Sequence, residues 1–137
     1  MPDIYTRLPL ALRKALYPLA LKIRAIRQRR LDEITKAAMT RVLDAIATRE
    51  PAIRKHFFFG TSAIHPRHLV TWYIFHTDRD LKAAQQNGLT SDLDIFTRAE
   101  LVRRGYPTKG ARVMHVAFTS EEDVQNQSGG NYFAYFK

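Results

Sequence analysis

Cysteine is absent from this 137-residue chain. Its absence excludes a disulfide framework, a cysteine-ligated zinc site and a thiol nucleophile. Long apolar runs are missing too. Stretches such as Leu8–Leu12 and Leu19–Leu21 are broken by charge well short of the ~20 residues that a membrane-spanning helix needs. Basic residues interleaved with those leucines argue against a secretory signal, and the lack of serines in the same region argues against a transit peptide. The chain is therefore read as cytoplasmic. No glycine-rich phosphate loop, GxSxG elbow, or HExxH or HxxxH spacing occurs, so the common signatures of phosphate-loop, serine-hydrolase and zinc-peptidase chemistry are absent. No metal or other cofactor is implied.

Negative charge is the scarcest feature of the N-terminal region. Between Ile4 and Leu31 there is no Asp or Glu, whereas Arg7, Arg13, Lys14, Lys22, Arg24, Arg27, Arg29 and Arg30 are all present. Residues 1–55 carry 13 Lys and Arg against 5 Asp and Glu; residues 56–137 carry 9 against 8, so nearly all of the net +9 sits in the first two-fifths. Such an asymmetry implies an anionic partner: nucleic acid, a membrane surface or an acidic protein. The 45% hydrophobic content and the aromatics (eight Phe, six Tyr, one Trp) are those of a folded domain.

Leu12, Leu16, Leu19, Ile23 and Ile26 step by four, three, four and three, one face of a helix. Pro9 suits its first turn, and Pro18 is expected to kink or split it. Arg27–Arg30 interrupts the stripe, and a second helix is expected with Leu31, Ile34, Ala38, Val42 and Ile46 on one face, closed by Glu50-Pro51. Further on, His68–Thr77 has apolar residues on both alternating faces, the pattern of an interior strand in which Trp72 is buried. Asp78 caps a short helix through Asn87, ended by Gly88, and Thr97-Arg98-Ala99-Glu100 reads as a capping box opening another, ended at Gly105. Ala111–Thr119 reads as a strand, Ser120 as the cap of an acidic turn (Glu121, Glu122, Asp123), and Asn131–Lys137 as a terminal strand. The expected fold is α+β: basic N-terminal helices (1–55), then a small mixed β-sheet with helical connections (56–137), in one compact domain. The sheet is expected to hold Leu69–Phe75, Val113–Phe118 and Tyr132–Phe136.

Chemistry has few candidates. His76, Asp78 and His115 would converge on a metal site if neighbouring strands aligned them, and His76 or His115 with Arg and Lys would make a metal-independent ribonuclease. Asp78-Arg79-Asp80-Leu81-Lys82 has the acidic pair and lysine of restriction-type nucleases without their upstream carboxylate; an N-cap and dipole-complementing acids account equally for both aspartates. The stretch Thr119–Gln125 with Gly129–Phe136 resembles small bacterial proteins that serve as cognate inhibitors, or immunity proteins, of toxins; no particular family is indicated. That resemblance implies a non-enzymatic, immunity-type inhibitor. The expected partner is an acidic protein, a toxin in this reading, docked through Lys22, Arg24, Arg27, Arg29 and Arg30. Nucleic acid is the alternative partner, its phosphates neutralised by the same cluster.

Overall fold

The computed structural model describes residues 7–136. Leu10–Ala45 is one helix, α1, of 36 residues. It is about 54 Å long at ~1.5 Å per residue, well beyond the ~30 Å diameter of a small domain. The two helices expected on either side of Arg27–Arg30 are therefore one. Arginine is a good helix former, and the break in the apolar stripe marks a change of face, not an end. Pro18 lies inside α1. Its missing N–H leaves the Lys14 carbonyl without the usual helical donor, but Lys14 and Pro18 are both exposed, so water can take that place.

Ile53–Phe59 forms β1, Val70–Phe75 forms β2 and His115–Ser120 forms β3. The sheet order is β1-β2-β3, with β1 antiparallel to β2 and β2 parallel to β3. A parallel pair requires a long crossover, which is supplied by α2 (Asp78–Gln86), α3 (Leu89–Arg103) and α4 (Thr108–Val113). After β3 come α5 (Glu121–Ser128) and α6 (Tyr132–Tyr135). The molecule is α+β: among the described residues, six helices and a three-stranded mixed sheet.

One face of the sheet meets α1 and α3. Met39, Val42 and Ile46 pack with Tyr73, Phe75, Ala84, Leu89 and Leu93. A neighbouring cluster joins Leu31 and Ala38 to Leu69, Leu101, Tyr106, Ala111 and Met114. The Tyr73 hydroxyl and Thr97 Oγ1 share a 2.7 Å hydrogen bond that ties the sheet to α3. Arg98 donates from Nη1 to the carbonyls of Ala111, Arg112 and Met114, each at 2.9 Å, closing the C-terminal end of α4.

Several local expectations are corrected. Tyr132–Phe136 is not a strand; Asn131 Oδ1 accepts from the Ala134 N–H at 3.1 Å and opens a helical turn instead. The third strand is β1, whose first residues look polar because it is a sheet edge with Arg54, Lys55 and His56 exposed. Thr97 opens nothing: α3 begins at Leu89, whose N–H is held by Asn87 Oδ1 at 2.9 Å. Ala111–Val113 is helical, so β3 starts only at His115. Asp78 is the first residue of α2 and Thr77 its cap, accepting from the Asp80 N–H at 3.0 Å. Trp72 is half-buried, on the sheet face opposite α1.

Burial pushes the Tyr73 phenol up to about 12. It does the same for Tyr106, whose hydroxyl donates to the Pro66 carbonyl at 2.5 Å. The fold thus favours the neutral phenols. Between the unfolded value near 10 and about 12, the native state keeps protons that the unfolded chain releases. Stability is full below pH ~10 and falls as pH rises toward 12. Urea unfolding at a series of alkaline pH values checks this decline. Tyr73→Phe will remove part of the slope and lower neutral-pH stability by about 1 kcal/mol, because Thr97 loses its partner.

Candidate interaction site

Among the described residues, Gln28 is the first side chain of α1 with a hydrogen bond to the body of the protein. There the Gln28 amide accepts from the Ala63 N–H at 2.9 Å and donates toward Ser62 Oγ at 3.0 Å and Asp32 Oδ1 at 2.8 Å. Leu31, three residues on, is the first buried side chain of the helix. Residues 10–27 form an arm about 27 Å long at ~1.5 Å per residue, with every side chain exposed or only half covered. Ile26 is 67% exposed and Leu10 65%.

Helical geometry places each residue about 100° from the last. On that circle Leu12, Leu16, Leu19, Ile23 and Ile26 share one face of the arm. Leu10, Tyr17 and Leu21 share a second face, roughly opposite the first. Arg13, Arg24 and Arg27 fill one flank between the two apolar faces, and Lys14, Lys22 and Arg29 fill the other. The core-facing residues of the packed half, Leu31, Thr35, Ala38, Met39, Val42 and Ile46, continue the second face and not the first; the two stripes lie roughly 130° apart. A straight helix that buries the second stripe must therefore turn the leucine and isoleucine stripe away from the core.

Lys22, Arg24, Arg27, Arg29 and Arg30, named from the sequence, all lie on this arm and its root, and all are exposed. Among the described residues the ion pairs are Arg49–Asp92, Arg98–Asp94, and Arg103 and Arg104 with Glu100, so the five named cations take part in none. They stand on both flanks of the leucine stripe, with Arg30 at its end. The sequence reading missed Leu10, Tyr17 and Leu21. Their spacing of seven and four is helical, but the longer stripe beside them drew the periodicity.

The other candidates disperse. His115 is aligned with Val70, six residues before His76 on a parallel strand, so the two histidines sit at opposite ends of the sheet, ~20 Å apart at ~3.3 Å per residue. They do not converge with Asp78. No group of three or more His, Asp or Glu side chains among the described residues is placed to hold a metal ion. Asp78 accepts a short hydrogen bond from Ser120 Oγ, and Ser120 accepts from the Asp123 N–H at 3.0 Å. Ser120 therefore caps α5 above the acidic turn as expected. Tyr135 donates to Asp123 in another short bond and shares one with Thr119 at 2.7 Å. Burial, with Asp123 beside it, holds the Tyr135 phenol above its ordinary value. Asp78 thus ties α2 to the end of β3, and Asp123 with Thr119 holds Tyr135 of the C-terminal segment.

No helix of the described residues is long and apolar enough to cross a membrane. No known family model, curated protein or solved structure matches the chain.

If the arm stands clear of the core, its apolar residues contribute little to stability. Replacing Leu12, Leu19, Ile23 and Ile26 together with Ser will leave the urea midpoint, read from Trp72 emission, within the equivalent of ~0.5 kcal/mol per site. Met39→Ala, in the packed half of the same helix, will cost ~2–5 kcal/mol.

Proposed function

We propose that this is a non-enzymatic binding protein whose arm is taken into an acid-rimmed apolar groove of a protein partner. The observation that carries the reading is the arrangement of the arm: two opposed apolar stripes separated by two basic flanks, on a helix that the body does not cover. A nucleic-acid backbone would use the cations but has no use for seven exposed large apolar side chains, Leu10, Leu12, Tyr17, Leu19, Leu21, Ile23 and Ile26. A lipid surface covers one face of an in-plane helix and would leave Leu10, Tyr17 and Leu21 in water. A groove that encloses the helix can cover both stripes and set carboxylates against both flanks. A second copy of the chain fits poorly, because two acid-free arms side by side repel. The inhibition of a toxin by an immunity-type protein is the biological role proposed for this docking, with the toxin supplying the acidic groove.

Arginine outnumbers lysine at the arm's root, and its planar fork suits bidentate carboxylate contacts. Affinity chromatography from the native host with the full chain should retain a protein that elutes with salt. Arg27, Arg29 and Arg30 all changed to Gln should leave the fold intact, since exposed charges contribute little stability. That variant should weaken retention at least tenfold and flatten its salt dependence. Retention of nuclease-sensitive material absorbing near 260 nm, or equal retention by the variant at low salt, would overturn the proposal.

A further inference from the structure

Side chains alternate along a strand, so β1 turns Lys55, Phe57 and Phe59 to the sheet face that α1 does not cover. Phe57 stands opposite Trp72 on β2. The C-terminal segment closes over part of this face: the Phe136 ring meets Phe57 at 4.9 Å and Trp72 at 4.7 Å, both edge-on. It closes incompletely. A cleft of about 570 Å³ remains, lined by Lys55, Phe57, Phe59, Tyr132, Phe133 and Phe136. Phe133 is 79% exposed at its mouth and Phe59 is 44% exposed at its far end.

Five of the six lining residues are aromatic, and Lys55 is the sixth. Lys55 Nζ stands 4.2 Å from the centre of the Tyr132 ring. The ring face holds the ammonium in place without neutralising it, and Lys55 forms no ion pair among the described residues. Among the described residues the cleft therefore has an apolar interior and one positioned charge.

We infer that this cleft binds a small apolar monocarboxylate, an acyl or aryl acid, with its body among the rings and its carboxylate on Lys55. Its volume falls within the ~300–1,000 Å³ of small-molecule sites. One cation matches one carboxylate. The lining offers no array of amides or hydroxyls with which to read a base edge or a sugar. A single-stranded nucleic acid would stack on such rings, but it also needs cations spaced along its backbone, and among the described residues the lining has one. The inference does not depend on the arm and its root, residues 10–30, which carry the protein-docking reading.

Trp72 is the only tryptophan of the chain and lies against Phe136, so its emission reports on occupancy. Titration of the whole 137-residue chain with decanoate should give a saturable change in that emission. Decanol, which has the same body without the charge, should bind at least tenfold more weakly. Lys55→Gln should remove that preference while leaving decanol binding unchanged. Phe133→Ala should weaken both ligands, and its exposure leaves the fold undisturbed. The inference is overturned if decanoate gives no saturable change, if decanol binds as well as decanoate, or if Lys55→Gln binds decanoate normally. It is also overturned if oligothymidylate binds with a stronger Trp72 response than decanoate. Loss of partner docking in the arginine variants leaves the inference standing.

Discussion

The packing of Met39, Val42 and Ile46 onto Tyr73 and Phe75 fixes the direction of α1 across the sheet, and a rod ~54 Å long cannot return its other end to the same small core. The core also fixes the rotation of the helix, because the buried stripe must face inward. Once that rotation is set, Leu12, Leu16, Leu19, Ile23 and Ile26 point elsewhere. The Gln28 contacts to Ser62 and Ala63 sit where the covered and uncovered parts meet. The arm's exposure thus follows from where the packed half of α1 puts its apolar face.

A free helical segment of this length would be marginal in water, because the first turn fixes several residues for one hydrogen bond. Here the packed half supplies that first turn. Residues 10–27 extend an existing helix, and each added residue contributes a hydrogen bond without a new nucleus. Alanine, leucine, lysine and arginine make up most of the arm, and all propagate helices well. Such composition lets the helix continue beyond its packed half, and even past Pro18.

What could be read from the sequence was local chemistry. Ser120 was recognisable as a cap because its hydroxyl precedes three acids, and Gly88 and Gly105 because helices end on residues free to adopt positive φ, here 85° and 99°. The interior strand was visible in the apolar run of Val70–Phe75. The failures occurred where tertiary context decides. Thr97 has the spacing of a capping box, yet it lies mid-helix with its hydroxyl on Tyr73. Tyr132–Phe136 has strand composition, yet Asn131 begins a turn and the aromatics lie across the sheet instead of extending it. For the arm, periodicity identified which residues share a face. It could not say whether that face is covered, because coverage depends on the phase relation to Leu31–Ile46 and on the position of the sheet.

Two helices of this chain are built on opposite electrostatic principles. α5 has a serine cap and Glu121, Glu122 and Asp123 in its first turn, where negative charge complements the helix dipole. α1 begins after Pro9 with no capping side chain and no acid in its first turn, and Arg13 and Lys14 follow at once. Arg24, Arg27 and Arg30 are spaced by three residues along it, close enough for like charges to repel. Each choice weakens the arm as an isolated helix, and each would be relieved by carboxylates placed against it. α5 is stabilised by its own sequence. The arm's own sequence gives its helix no such support, and it is held as a helix by its continuity with the packed half of α1.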